Sequence, residues 1–218
     1  MIKYYALFVL LTLGANCRIG LEIVTRDEWG ARPPTLVENM TNPVPYVVIH
    51  HSYLPPACST GSECIAAMKW MQDLHQINNS WNDIGYSFAV GGDDRVYEGR
   101  GWSAVGAHAP SYNDKSIGVC IIGDWSDELP PAGQLATVKR LIARGVKEGK
   151  IARDYKLVGH RQVREGTECP GDRLFNDIHN WPHFTSDPTG MESTKPDVRE
   201  EQEPPLWDED NKLKKRSS

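Results

Sequence analysis

Apolar residues fall in short unbroken runs and in three- and four-residue steps, and the two patterns take turns along the chain. Tyr46-Val47-Val48-Ile49 is a run of β-branched and aromatic residues suited to a strand buried on both faces, as in a parallel sheet. Pro43 and Pro45 lie where such a strand can begin but a sheet interior cannot continue. Ile65, Met68, Met71, Leu74 and His75 then recur at helical steps and predict a helix over 63–76, stopped by Asn78-Asn79-Ser80. Tyr86 to Val90 predicts a second strand, Gly91-Gly92-Asp93-Asp94 a hairpin turn, and Arg95 to Glu98 the return strand. Gly99 to Asn113 has no clean period and predicts a long surface loop. Ile117 to Ile122 predicts a buried strand. Pro130-Pro131 opens a helix reaching Gly149 with the stripe Leu135, Val138, Leu141, Ile142 and Val146. Lys156 to Gly159 predicts a last strand, and Asp172 to Asn180 a last helix capped by Asp172. Strand, helix, strand thus occurs twice, at 46–90 and 117–159. The expected fold is α/β, with a mixed, mostly parallel central sheet flanked by about three helices.

The ends of the chain break this pattern. Met1-Ile2-Lys3 is a short basic start, Tyr4 to Leu13 is apolar apart from Thr12, and Gly14-Ala15-Asn16-Cys17 offers small residues. That is the pattern of a secretory signal peptide over 1–17, with an apolar run too short to span a bilayer comfortably. Residues 18–184 form the expected domain. Residues 185–218 form an expected disordered tail, because Asp, Glu, Lys, Arg and Pro dominate from Met191 onward and cannot offset the ordering entropy. Leu206-Trp207 are its only candidate docking residues.

Composition narrows the chemistry. The chain has 218 residues and a formal net charge of -5, with no long basic run before its last residues, which argues against a nucleic-acid partner. Secretion would place the cysteines in an oxidising compartment. Cys58 and Cys64 flank the turn Ser59-Thr60-Gly61-Ser62 and are spaced to close a short disulfide loop. Cys120, inside an apolar run, is expected to be a buried, inert thiol. Cys169 is left to explain.

Two predicted strands end in histidine, at His50 and at His160, and Cys169-Pro170-Gly171 follows the second. Two imidazoles and a thiolate are a workable zinc set, and three protein ligands leave a fourth tetrahedral position for water, as in catalytic sites. His51 should point to the opposite face of its strand, so His50 is the preferred ligand.

At this point the residues resemble a known family. Val48-Ile49-His50-His51-Ser52, Trp81-Asn82-Asp83-Ile84-Gly85-Tyr86-Ser87-Phe88, Tyr97-Glu98-Gly99-Arg100-Gly101-Trp102, Gly106-Ala107-His108, Gly159-His160-Arg161, Cys169-Pro170-Gly171 and Trp181-Pro182-His183-Phe184 closely resemble the peptidoglycan recognition proteins. That family shares its fold with bacteriophage-type zinc amidases. The resemblance implies zinc ligands at His50, His160 and Cys169, with catalytic roles for Tyr86 and Thr167. It implies cleavage of the amide between N-acetylmuramic acid and L-alanine, in innate immunity, on peptidoglycan or muropeptide fragments. The expected protein is a secreted monomer without stable membrane insertion. Members that only recognise peptidoglycan typically carry serine in place of the cysteine, so Cys169 places the chain with the amidase branch. One departure is Glu165-Gly166, which lengthens the segment before Thr167 relative to the family pattern. Ser80-Trp81 stands where diaminopimelate-type members tend to have Gly-Trp and lysine-type members Asn-Phe, which implies a preference for diaminopimelate-type peptidoglycan.

Three function classes are weighed: a zinc amidase, a non-catalytic peptidoglycan-binding module, and a thiol hydrolase pairing Cys169 with His160. The thiol mechanism leaves His50 without a role. Trp81, Trp102 and Tyr112 are candidate groove residues, since flat rings suit sugar faces. His108 is a candidate for substrate binding or for a structural hydrogen bond. His75 is expected in the core, and Trp29 and Trp70 in packing.

Overall fold

The structure, a computed structural model, describes residues 20–190. The expected signal peptide and all of the expected tail beyond residue 190 lie outside the described residues. In chain order the elements are β1 (Ile23–Val24), α1 (Arg26–Trp29), β2 (Val44–His51), α2 (Gly61–Asp73), β3 (Phe88–Val90), β4 (Val96–Glu98), β5 (Ser116–Ile121), α3 (Ala132–Lys147), β6 (Ile151–Gly159) and α4 (Asp172–Ile178). The sheet order is β1-β4-β3-β5-β2-β6. β2 runs parallel to both β5 and β6, β3 parallel to β5, and β1 parallel to β4; only β3 and β4 pair antiparallel. The expected mixed, mostly parallel sheet is therefore present, built on the crossovers β2–α2–β3 and β5–α3–β6.

Period-two alternation along these strands sorts the core into two layers. Val47, Ile49, Phe88, Val90, Ile117, Val119, Ile121 and Leu157 pack with Val138, Leu141 and Ile142 of α3. Ala89, Cys120 and Ile122 pack on the other face with Ala67, Met68 and Met71 of α2. Each fully buried side chain such as Ile49 contributes roughly 1.5–3 kcal/mol of transfer free energy. Polar residues on the buried faces join this core. Gln134, on the buried side of α3, donates from Nε2 to Val90 O at 2.8 Å and Ile122 O at 3.3 Å, tying α3 to the ends of β3 and β5.

Several expectations need correction. β2 starts at Val44 and runs through Pro45, and its pairing with β6 jumps from Val44↔Ile151 to Tyr46↔Lys156 there, because proline has no N–H for the ladder. Tyr86 and Ser87 precede β3 rather than belong to it. α2 begins two residues early, on a capping box between Thr60 and Glu63, and passes into a π-helical turn at Leu74–Asn78. Asp172 is the first residue of α4 and Gly171 its cap, without a side-chain bond. The 99–113 segment is irregular, but Gly106 to Ala109 is buried. Trp29 packs as expected at 1% exposure, whereas Trp70 faces solvent. The domain also extends past 184: Leu157 O accepts from the N–H of Thr185, and the Tyr46 hydroxyl donates to Pro188 O at 2.8 Å. Cys58 and Cys64 form the expected disulfide. Among the described residues no helix is long and apolar enough to cross a membrane.

Candidate active site

The parallel register assembles the site. Ile49 of β2 pairs with Gly159, the last residue of β6, so His50 near the end of β2 and His160 in the turn just past β6 meet at the carboxyl ends, where α/β sheets bind ligands. Their ring centroids are 4.4 Å apart. Cys169 returns from the loop before α4. The N–H of Arg161 donates to Cys169 O at 2.8 Å, and the Arg161 guanidinium donates to Glu168 O and, at 2.6 Å, to Asp172. The Cys169 N–H donates to Thr167 Oγ1 at 3.2 Å, so Thr167 orders the cysteine loop beside the ligands.

Cys169 Sγ lies 3.8 Å from His50 Nδ1, and one ligand atom from each of His50, His160 and Cys169 falls within 4.8 Å of the others. Tetrahedral zinc with one sulfur and one nitrogen ligand needs about 3.6 Å between them, so this spacing is close to closed around an ion. His160 Nε2 is buried without a hydrogen-bond partner among the described residues. Burial and the neighbouring histidines hold His50 well below the ordinary imidazole value. Burial, with Arg164 and His51, takes His160 down to about 3. Both rings are neutral near pH 7, as a metal ligand requires. Burial pushes the Cys169 thiol up to about 12, although the His51 N–H, 3.4 Å from Sγ, and Arg161 favour the thiolate. Two imidazole nitrogens and one sulfur within this distance are borderline-soft donors of the kind zinc takes, so the residues present fit that ion.

His51 points to the other face, as the strand alternation predicts. Its Nδ1 accepts from the Trp125 N–H at 3.4 Å, and burial lowers it to about 4. It is uncharged near neutrality, so its 3.7 Å approach to Asp124 is no ion pair there. Tyr86 sits beside His50, ring centroids 5.2 Å apart. Burial, the neighbouring thiols and a hydrogen bond with Cys120 raise its hydroxyl well above the ordinary value, so it keeps its proton.

The remaining expected site residues divide. Trp81 lies over His75, stacked at 4.8 Å and 19°. His75 in turn meets the Tyr86 ring edge-on at 5.7 Å and accepts from the Gly85 N–H through Nδ1 at 3.0 Å. Ser80 is exposed at the start of this segment with φ +60°, a conformation glycine adopts without steric cost. Tyr112 packs edge-on against Tyr46 on the His50 face. Trp102 does not join the site. It packs on Phe88 at 4.4 Å and against α3 at Gly145, on the opposite layer, because a fully buried strand offers an aromatic two faces and sequence does not say which it takes. His108, placed among substrate contacts, is only 7% exposed and has Nδ1 3.0 Å from His50 Nε2.

Sequence reasoning missed the scaffold under Trp81–Tyr86. Asp83, 4% exposed, accepts from Gln72 at 2.9 Å and the Ile84 N–H at 2.8 Å and pairs with Arg26 at 2.9 Å. Arg100 donates to Ile84 O and Val105 O, both at 2.8 Å, and clamps the two loops together. Asn113 Oδ1 accepts from the N–H groups of His108 and Ala109. None of these has a periodic signal. The one cue is a charged residue within a short stretch that holds large apolar side chains, Asp83 between Trp81 and Ile84 with Asn82 beside it.

The geometry can be set beside known proteins. The pattern of the N-acetylmuramoyl-L-alanine amidase family matches residues 40–172. The chain is 55% identical to peptidoglycan-recognition protein LB of Drosophila melanogaster over 174 residues, covering 79% of this chain and 75% of that one. The solved structure of that protein superposes with a TM-score of 0.75, covering 77% of this chain and 98% of that chain. Human N-acetylmuramoyl-L-alanine amidase is 42% identical over 186 residues, 83% of this chain but 32% of that longer protein. A peptidoglycan-recognition protein LE, solved with tracheal cytotoxin, a monomeric diaminopimelic acid-type peptidoglycan, is 41% identical, with a TM-score of 0.73 and coverage of 75% and 96%.

Proposed function

The chain belongs to the N-acetylmuramoyl-L-alanine amidase family, and from that premise we propose that it is a zinc-dependent amidase that hydrolyses the bond between N-acetylmuramic acid and L-alanine in peptidoglycan fragments. The observation that carries this reading is the convergence of His50, His160 and Cys169 at the ends of β2 and β6. A zinc ion bound there would supply a Lewis acid and lower the pKa of a bound water toward neutrality. The chain's own residues supply the rest. Tyr86, which keeps its proton and has its ring beside His50, is the residue assigned to donate an O–H to the oxygen on which negative charge develops; its ring position and its protonated state support that role. Thr167 accepts from the Cys169 N–H and holds the thiol against His50. Trp81 covers His75 and offers a ring face at the edge of the same cluster. The thiol-hydrolase reading is disfavoured by the Cys169 thiol at about 12, which leaves almost no thiolate near pH 7.

Two finer readings accompany the activity. A preference for the diaminopimelate-type stem is supported by Ser80-Trp81 at the rim and by the muropeptide seen in the relative LE. A secreted protein is supported by the Cys58–Cys64 disulfide, which oxidising compartments maintain; N-terminal sequencing of protein from culture medium should begin near residue 18.

The decisive test is mass spectrometry of defined muropeptides after incubation with purified protein. Release of the stem peptide should stop with a chelator, return with zinc, and be abolished by Cys169→Ser, since sulfur is the stronger zinc ligand. Full turnover in metal-free protein or in Cys169→Ser would overturn the zinc mechanism. Intact muropeptide after incubation with the zinc-loaded protein would leave a binding module.

A further inference from the structure

The site contains a third histidine that the proposed chemistry does not use. His108 is 7% exposed and lies edge-on to His50, with 5.0 Å between centroids. His50 Nδ1 faces Cys169 Sγ, so the opposite ring nitrogen, Nε2, is the one 3.0 Å from His108 Nδ1. When Nδ1 of a histidine binds metal, its proton sits on Nε2, and a ligating histidine almost always donates that second N–H to an acceptor. Here the atom in reach is His108 Nδ1.

A second, independent observation concerns how that imidazole is seated. A Cβ built on Gly106 would lie 2.4 Å from His108 Cδ2, and one on Gly118 would also lie 2.4 Å from Cδ2 and 2.5 Å from Cγ. Neither glycine has the positive φ that would otherwise require it. Gly118 stands in the middle of β5 opposite Val48, a place where an ordinary strand side chain would pack better than glycine. The Asn113 side chain adds a tether by accepting the His108 N–H at 2.8 Å.

We propose that His108 is a positioning residue that fixes the ring and tautomer of His50, and that Gly106 and Gly118 lack side chains because the His108 ring occupies that space. The inference rests on the zinc reading above. His50 Nε2–H donates to His108 Nδ1, and His108 carries its own proton on Nε2, which is buried and without a partner among the described residues. The 106–113 segment is therefore an internal brace of the metal site rather than only a groove wall.

The test measures zinc affinity of the full chain by competition with a chromogenic chelator, and the nitrogen NMR shifts of His50. The native protein should bind one zinc and show His50 protonated on Nε2. His108→Ala should weaken zinc binding by about 10- to 100-fold, the usual loss when such an outer partner is removed. Asn places an acceptor oxygen where histidine has Nδ1, whereas Gln places one near Nε2. His108→Asn should therefore recover most of the affinity and His108→Gln should not, a distinction that packing alone does not produce. Gly118→Ala, which alters no ligand, should weaken zinc binding and disturb the His50 Nε2 signal. Native affinity in folded His108→Ala, or equal affinities for the Asn and Gln variants, would overturn the inference. If Gly118→Ala does not fold, the three His108 variants decide. A native protein that binds no zinc would instead refute the function proposed above.

Discussion

His75 makes the acid stability of this fold calculable. It is 8% exposed under the Trp81 ring, and burial, aided by Arg100, lowers it from 6.5 to about 3. The folded protein keeps His75 neutral at pH values where the unfolded chain protonates it. Above pH 6.5 both states are neutral and there is no cost. Below 6.5 the unfolded state binds the extra proton, so stability falls with pH until the folded pKa is reached. The loss is about 1.4 kcal/mol per pH unit in that window, so His75 alone should cost about 2 kcal/mol at pH 5 relative to pH 8. His50, His108 and His160 titrate in the same sense, so the measurement must be a double difference. Urea unfolding of native protein and His75→Asn, both metal-free, at pH 8 and pH 5 provides it. Asn can still accept from the Gly85 N–H and does not titrate. Native protein should lose about 2 kcal/mol more than the variant between the two pH values. An equal loss in both proteins would show that His75 is not held neutral by burial.

Other outcomes follow from the same geometry. Tyr86→Phe should lower kcat by about two to three powers of ten while zinc affinity stays native, and near-native kcat would remove Tyr86 from the reaction. Replacing both Cys58 and Cys64 with Ala should cost about 2.4 kcal/mol in urea unfolding, from the loop-closure entropy of their short loop; unchanged stability would mean that the unfolded chain is already constrained there. On two muropeptides differing only in the third stem residue, kcat/KM should favour diaminopimelate over lysine, and Trp81→Phe should narrow the ratio. Equal values in the native protein would show that Ser80-Trp81 does not read that residue.

The sequence alone determined what depends on neighbours along the chain. Helical steps marked α2 and α3, unbroken β-branched runs marked β2 and β5, and two crossovers followed from their alternation. Side-chain alternation also separated His50 from His51 correctly, because opposite faces are a local property of a strand. The three candidate ligands stood out because histidine and cysteine at strand and loop ends are chemically conspicuous. Tertiary structure decided what depends on register and layer. Only the pairing of Ile49 with Gly159 shows that His50 meets His160, and Cys169 approaches His50 across 119 residues of sequence. Trp102 and His108 were both plausible groove residues by type, yet one packs under α3 and the other beside His50. Buried Gln134 and Asp83 carry no apolar signal, since their burial is matched by partners from distant segments: the Val90 and Ile122 carbonyls for Gln134, and the Gln72 and Arg26 side chains for Asp83. Local chemistry names the candidates, and the long-range pairing of strands sets which of them touch.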